Sequence, residues 1–187
     1  MSTLRKCVSE LMIYDADDKL SSDEAGEFLS SHQYGAWTVD ARGIHGVAEL
    51  SGVLQDYIGI EQITFCTHGS PGGIYFKGGS LTVGTLPLVI ISPGLYRGPG
   101  RLLFMGCQTA RSSAGRDFLI AAGRRFFAGK GGVVGGCTIF VLGFSSGSRL
   151  PLFGRSSGGW EIGRLVLYSL NARGEIVASR TVRPFGL

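Results

Sequence analysis

The chain has 187 residues, of which 44% are apolar and 17% are charged, a composition typical of one globular domain with a substantial core. No apolar run is long enough to cross a bilayer, and residues 1–7 lack the apolar stretch of a secretory signal. We therefore expect no membrane partner, and a protein that is cytoplasmic or exported without a cleavable signal peptide.

The charge is divided unevenly along the chain. Residues 1–100 carry 6 Lys and Arg against 11 Asp and Glu, a net charge of −5, whereas residues 101–187 carry 12 against 3, a net charge of +9. A basic half is typical of proteins that bind nucleic acid, an anionic effector or an acidic partner. The arginines are dispersed and no nucleic-acid motif accompanies them, so a solvated surface is favoured and no nucleic-acid partner is expected.

The N-terminal third predicts alternating strands and helices. Leu11 to Tyr14 reads as a strand followed by an acidic loop, and Ser21 to Glu24 has the spacing of a capping box ahead of a helix. Ala36 to Val39 predicts the next strand, with Asp40 at its end. Apolar residues at helical spacing from Val47 to Ile58 predict a second helix, which Gly59 stops.

Two further apolar runs end at reactive side chains. Gln62 to His68 predicts a strand that leads into a His-Gly pair, and Arg101 to Cys107 predicts a strand that ends in a Gly-Cys pair. Between them, the apolar triplets at 74–76 and 81–83 predict a hairpin, and Pro87 to Gly100 reads as a connection.

The C-terminal part predicts a helix, a strand, a loop and a hairpin. Ser112 or Ser113 would cap a helix that runs through Phe126 and ends at Gly129. Gly132 to Cys137 reads as a strand, and Ile139 to Gly159 as a long loop rich in glycine and serine. Two strands, Trp160–Leu170 and Glu175–Val182, would form a hairpin joined at residues 171–174.

This alternation predicts a single α/β domain over residues 1–187, with a mostly parallel central sheet flanked by helices and a C-terminal β-hairpin. Sites in such sheets form outside the carboxyl ends of the strands. His68, Cys107 and the start of the loop at Ile139 all fall at such ends, so we expect them at one edge.

An imidazole beside a thiol is the arrangement of a cysteine nucleophile with a histidine base. The histidine takes the thiol proton and later returns it to a leaving amine. Acyl transfer also needs donors for the developing oxyanion, and the amides of Gly69 and Cys107 are the predicted pair. The four cysteines show no metal-binding or disulfide spacing, so reduced thiols and no metal or cofactor are expected.

Two segments resemble the caspase-like (clan CD) cysteine peptidases, which include caspases, gingipains, CHAT-domain peptidases and toxin autoprocessing domains. They are Thr67-His68-Gly69-Ser70-Pro71-Gly72 and Met105-Gly106-Cys107-Gln108-Thr109-Ala110, in the family order of strand-His-Gly before strand-Cys. The resemblance covers roughly residues 60–138. It implies a caspase-like fold and a Cys107–His68 catalytic dyad, but the caspase pattern Gln-Ala-Cys-Arg-Gly is absent, so aspartate specificity is not implied.

The resemblance leads to a hypothesis of a cysteine endopeptidase that acts on protein substrates. Small size and a basic half fit a bacterial effector or toxin protease with an inhibitory or immunity protein as partner, an argument from analogy. Two alternatives stay open. One is a non-catalytic caspase-like module for protein interaction, and the other is an autoprocessing domain that a polyanion activates.

Substrate contacts are predicted around the dyad. Arg111 would contact an acidic substrate group or tune the thiol, or else belong to a solvated helix start. Phe144 and Ser145, in the loop from Ile139, are the predicted specificity residues. Residues 143–147 also match the G-x-S-x-G pattern of serine hydrolases, but every histidine precedes Ser145, so the Ser-acid-His order of that class is excluded. His32 and His45 are expected to be structural or surface residues.

Overall fold

The computed structural model describes residues 4–31, 38–139, 153–156, 159–162 and 164–182. Its helices are α1 Lys19–Ser31, α2 Val47–Gln55 and α3 Ser112–Phe127, with one 3-10 turn at Leu86–Leu88. Its strands are β1 Lys6–Cys7, β2 Glu10–Asp15, β3 Val39–Ile44, β4 Tyr57–Ile58, β5 Ile60–Cys66, β6 His68–Ser70, β7 Gly73–Phe76, β8 Gly79–Thr82, β9 Tyr96–Phe104, β10 Gly132–Cys137, β11 Phe153–Ser156, β12 Gly159–Ile162, β13 Leu165–Leu170 and β14 Ile176–Val182.

A seven-stranded mixed sheet forms the centre of the fold. Its strand order is β3-β2-β5-β9-β10-β13-β14. The first five strands run parallel, β13 pairs antiparallel with β10, and β14 pairs antiparallel with β13. The predicted α/β class and the C-terminal hairpin are thus present. The hairpin extends the sheet directly, because β13 pairs with β10 along its whole length.

Aromatic side chains on one face of the sheet pack against α3. The rings of Phe65 on β5 and Phe104 on β9 are stacked, with centroids 5.2 Å apart. Phe126 of α3 meets Phe65 edge-on at 5.8 Å, and Phe118 meets Phe104 at 4.9 Å. All four rings are buried, so they contribute a large part of the hydrophobic stabilisation and fix α3 across β5 and β9.

On the other face of the sheet, α1 covers β2, β3 and β5. Ala25 and Phe28 of this helix pack on Met12 of β2 and Cys66 of β5. Side chains on a strand alternate between faces, which is why Met12 turns towards α1 while its neighbours Leu11 and Ile13 belong to the core cluster on the α3 side.

The start of α1 differs from the predicted capping box. The helix begins at Lys19, and the Asp18 carboxylate caps it by accepting a hydrogen bond from the Ser21 backbone N–H at 2.8 Å. Asp18 is therefore the residue just before the helix and Ser21 is the third residue within it. The sequence contained both residues, but the prediction started the helix one turn too late.

Two other N-terminal predictions were wrong in position. The strand predicted over Ala36–Val39 is β3, and it begins at Val39, so Asp40 lies near its start; residues 32–37 are outside the described residues. The Asp40 carboxylate accepts a hydrogen bond from the Tyr57 hydroxyl at 2.7 Å and pairs with Lys6 at 2.8 Å. The second helix ends at Gln55, because the fully buried Tyr57 belongs to β4, which pairs with β1.

The C-terminal half differs in detail. β9 already begins at Tyr96, inside the predicted connection, and α3 has Arg111 at its N-cap with no side-chain cap from a serine. Within the predicted loop from 139 to 159, residues 140–152 lie outside the described residues, but Phe153–Ser156 forms β11 and pairs with β12. The predicted strand from Trp160 to Leu170 is thus two separate strands. Within the described ranges, every helix is too short or too polar to span a membrane.

Two helical glycines make a matched test of the packing of α3. A Cβ atom at Gly123 would lie 2.6 Å from Leu170 Cδ1 and 3.1 Å from Val134 Cγ1, whereas one at Gly26 in α1 would meet no described atom within 4 Å. We expect Gly123→Ala to lower the free energy of unfolding by about 1 kcal/mol, since overpacking outweighs the gain in helix propensity. Gly26→Ala should raise it by roughly 0.5–1 kcal/mol. Urea denaturation measures both, and equal gains would contradict the packing.

Candidate functional site

The parallel strands bring several polar residues to one edge of the sheet. β2 ends at Asp15, β3 at Ile44, β5 at Cys66 and β9 at Phe104. Since these strands are parallel neighbours, the segments that follow them lie side by side at the carboxyl edge. Those segments contain the predicted His68 and Cys107.

His68 lies beyond the strand on which it was predicted. β5 stops at Cys66, the Thr67 hydroxyl donates to the Tyr75 carbonyl oxygen, and His68 begins β6, which pairs antiparallel with β7. β6, β7 and β8 form a small separate sheet. The His68 side chain is 66% exposed, and its Nε2 atom lies 3.5 Å from Oδ1 of Asp18.

Cys107 lies in a tight turn three residues past the end of β9, where its side chain is half-buried. The next residue, Gln108, adopts the left-handed conformation with φ of 55°, which is unfavourable for a residue other than glycine. Thr109 stabilises this turn. Its fully buried hydroxyl donates to the carbonyl oxygens of Phe104 and Gly106, at 3.2 and 3.3 Å, and accepts from the Cys137 N–H at 3.2 Å.

The backbones that carry His68 and Cys107 are in direct contact. A Cβ atom at Gly69 would lie 2.9 Å from the Cys107 carbonyl oxygen and 2.7 Å from Thr109 Cγ2. A Cβ atom at Gly106 would lie 2.9 Å from the Thr67 carbonyl oxygen and 3.1 Å from the Gly69 nitrogen. Only glycine allows this approach, which explains why the residues beside His68 and Cys107, at positions 69 and 106, are glycines.

The Gly69 amide lies beside the turn that carries Cys107. Ser70 and Gly73 flank a two-residue turn, which makes them a hydrogen-bonded pair, so the next pair along, Gly69 and Ile74, is a non-hydrogen-bonded one. The Gly69 N–H therefore points away from β7. Its nitrogen lies close to the Cys107 turn, since a Cβ atom on Gly106 would be 3.1 Å from it. This position is compatible with the predicted oxyanion hole of Gly69 and Cys107, which stays a prediction.

Asp18 is the residue of this site that sequence reasoning missed. One of its oxygens, Oδ2, accepts from the Ser21 N–H at 2.8 Å and from the Ser21 hydroxyl at 2.6 Å, while Oδ1 faces His68. Burial acts to raise the pKa of the Asp18 carboxyl, but the Ser21 hydrogen bonds and the charge of His68 together lower it below its ordinary value. The available signal was an aspartate between a strand end and a helix start.

A second carboxylate fixes the loops around the site. Asp15 is 3% exposed and accepts hydrogen bonds from the backbone N–H of Asp17, at 3.0 Å, and of Lys77, at 3.2 Å. The Gly78 N–H donates to the His45 carbonyl oxygen at 2.7 Å. The small sheet that carries His68 is thereby attached to the loops after both β2 and β3.

His45 forms a separate ion pair beside the site. Its Nδ1 atom lies 3.0 Å from Asp17 Oδ2, and this hydrogen bond and charge raise the pKa of His45. The side chain is largely exposed, in keeping with the predicted surface role.

The predicted substrate-binding residues have different outcomes. The Arg111 backbone N–H donates to the Gln108 carbonyl oxygen at 2.8 Å, which closes the turn after Cys107, and its side chain is half-buried. Arg111 therefore begins α3 within four residues of the thiol. Phe144 and Ser145 lie outside the described residues.

Several cations of the basic half make internal contacts. Arg124 donates to the Gly174 carbonyl oxygen at 2.9 Å, and Arg125 donates to that of Val89 at 2.8 and 2.6 Å. Lys130 donates to the Tyr96 carbonyl oxygen at 2.5 Å. Part of the positive charge of residues 101–187 thus stabilises the fold through internal hydrogen bonds. Activation by a polyanion stays a prediction.

In the described ranges, no three His, Cys, Asp or Glu side chains are grouped so that they could hold a metal ion.

No protein-family model matches the chain, and no curated protein is significantly similar to it in sequence.

The four cysteines should differ sharply in reactivity. Burial, helped by nearby Glu24 and Asp18, raises the pKa of the Cys66 thiol to about 12, and burial also raises that of Cys137 to about 12. At pH 8 only about one such thiol in 10⁴ is ionised. Iodoacetamide should therefore label Cys7 and Cys107 in the native protein and spare Cys66 and Cys137. Peptide mass spectrometry measures this, with urea-unfolded protein as the control in which all four react; native labelling of Cys137 at the rate of Cys7 would contradict it.

Substitution of Gly69 tests the close backbone approach. A methyl group there would push the Cys107 turn away, so we expect Gly69→Ala to lower the free energy of unfolding by about 1–3 kcal/mol and to change the alkylation rate of Cys107. Gly98→Ala on β9 is the matched control, because a Cβ atom there meets no described atom within 4 Å. Urea denaturation and timed alkylation give both values. If the two variants behave alike, the segments are not in contact.

Proposed function

We propose that the protein is a caspase-like cysteine endopeptidase, in which Cys107 is the nucleophile and His68 the general base. One observation carries this proposal above the others. The backbone at Gly69 meets the backbone at Cys107 so closely that a side chain on either Gly69 or Gly106 would separate them. A thiol and an imidazole on neighbouring turns at the carboxyl edge support an assignment as a nucleophile and its base.

The order of the strands also supports the caspase-like assignment. The His-Gly pair follows β5, and the Gly-Cys pair follows β9, which is the neighbour of β5 in the parallel part of the sheet. The resemblance from sequence rests on this same order of strand-His before strand-Cys. Adjacency of the two strands is a requirement that the sequence motifs alone did not guarantee.

The proposed reaction begins with transfer of the Cys107 thiol proton to His68. The thiolate sulfur attacks the carbonyl carbon of the scissile peptide bond, and the carbonyl oxygen becomes an oxyanion that the Gly69 and Cys107 amides stabilise. The carbon–nitrogen bond then breaks as His68 returns the proton to the leaving amine. A water molecule, deprotonated by His68, hydrolyses the thioester, which releases a carboxyl product and restores the thiol.

The strained turn at Gln108 suits a nucleophile. A left-handed residue directly after Cys107 turns the chain sharply, and the buried Thr109 holds the turn in place, so that the thiol has a fixed position. The substrate is a protein, and Arg111 at the start of α3 is close enough in the chain to contribute to its recognition. An effector or toxin role, with an inhibitory or immunity protein as partner, remains part of the proposal by analogy.

Removal of the nucleophile is the direct test. We expect purified wild-type protein to generate new protein N-termini in a cell extract, and Cys107→Ala to lower the rate of their formation by roughly 10⁴-fold or more, since the reaction has no other nucleophile in the dyad. His68→Gln should lower it by about 10²- to 10⁴-fold. Mass-spectrometric survey of new N-termini measures the rates and also identifies the cleaved sequence.

Cys7→Ala is the control, because Cys7 is an exposed thiol on β1, away from the carboxyl edge of the sheet. This variant should cleave proteins like the wild type. If Cys107→Ala generates the same new protein N-termini as the wild type, the proposal is overturned. No new ends, together with alkylation of Cys107 no faster than that of Cys7, would instead favour the interaction module. Cleavage of the chain itself that requires an added polyphosphate would favour the autoprocessing alternative.

A further inference from the structure

We infer that Asp18 is a positioning residue for the His68 imidazole, a role that rests on the proposed peptidase function. The contact that points to it is the 3.5 Å distance between Asp18 Oδ1 and His68 Nε2. It joins the loop after β2 to the start of β6. Nothing in the sequence motifs connects these two segments.

The Asp18 carboxylate divides its two oxygens between two tasks. Oδ2 accepts both Ser21 hydrogen bonds, at 2.8 and 2.6 Å, and so caps α1. Oδ1 is directed at the His68 ring. Because Ser21 is buried at the first turn of a helix that packs on the sheet, the carboxylate has a fixed position relative to the sheet edge.

The His68 ring needs such an anchor. It is 66% exposed and belongs to the short strand β6, so little packing restricts its rotamer. An ion pair of this exposure contributes little to stability, so the consequence of the contact lies in the orientation of the ring. With Nε2 directed at Asp18, the proton sits on that nitrogen and Nδ1 is the atom that takes the proton of the Cys107 thiol.

The same contact places a carboxylate beside the charge that the reaction creates. When His68 takes the thiol proton it becomes an imidazolium, and its Nε2 atom lies 3.5 Å from Asp18 Oδ1. Asp18 stays ionised throughout and accepts no proton, because its hydrogen bonds with Ser21 favour the charged carboxylate. Asp18 therefore acts on the thiol only through His68, which is the role of the carboxylate in Ser-His-Asp enzymes.

The neighbouring pair of Asp17 and His45 provides a matched control. It is also an exposed His–Asp contact of the same loop, at 3.0 Å, but it does not involve His68. Asp18→Asn keeps the size and the helix cap and loses the charge, and Asp18→Ser keeps a capping hydroxyl that is too short to reach His68. Asp17→Asn removes the charge one residue earlier.

We expect Asp18→Asn and Asp18→Ser to lower kcat by about 10- to 100-fold with little change in KM or in the urea midpoint, because orientation of the base is lost while α1 stays capped. Asp17→Asn should retain the wild-type kcat. The assay is cleavage of a peptide taken from the N-terminal survey. If wild type and Asp17→Asn are active and both Asp18 variants equal them, Asp18 has no positioning role.

A measurement without catalysis separates this inference from the proposed function. The pKa of the Asp18 carboxyl is measured by NMR in Cys107→Ala protein, with and without His68→Gln. Since protonated His68 favours the ionised carboxylate, loss of His68 should raise the pKa of Asp18 towards its ordinary value, whereas a residue that only caps α1 would keep its pKa. An unchanged pKa overturns the contact itself. An inactive wild type overturns the peptidase, and with it any catalytic role of Asp18, even where the pKa does rise.

Discussion

The structure of the candidate site depends on a close approach of two backbones. The turn after β5 and the turn after β9 meet at Gly69 and Gly106, where a Cβ atom on either residue would come within 3 Å of a carbonyl oxygen of the other turn. Close packing of this kind transmits small displacements, because no void is left to absorb them. The position of Cys107 relative to His68 is therefore fixed by main chain, with the buried Thr109 hydroxyl holding the Cys107 turn to the end of β9.

Around this contact, the carboxylates after β2 organise the edge of the sheet. Asp15 is buried and accepts backbone hydrogen bonds from within its own loop and from Lys77, so it attaches the small β6–β8 sheet to the large one. Asp18 caps α1 and faces His68. A buried carboxylate must have hydrogen-bond donors. For Asp15 the donors are backbone N–H groups of the surrounding loops, so these hydrogen bonds also hold the loops in place. Capping, loop attachment and the environment of His68 thus come from a single acidic turn.

Predictions from sequence succeeded where the pattern is local. The bounds of β10 were predicted residue for residue, and the β7–β8 hairpin lies where turn residues separate two apolar triplets. They failed where a distant segment decides the conformation. The chain leaves the main sheet before His68 because the Thr67 hydroxyl bonds to the Tyr75 carbonyl oxygen across a hairpin. The second predicted helix stops early because the residues after it pair with β1, a strand that precedes the helix in the chain by two other strands and a helix.

The sequence by itself determined the α/β alternation, the order of a His-Gly pair before a Gly-Cys pair, and the strands that lead to them, because these depend on periodicity and on the residues next to each motif. Only the tertiary structure decided that Gly69 and Gly106 touch and that Asp18 lies beside His68. The reason is the order of strands in the sheet. β2, β5 and β9 are separated in the chain by helices and by a small sheet, and hydrogen-bond pairing between strands makes them neighbours. Local patterns identify the candidate residues, and strand pairing selects the side chains that surround them.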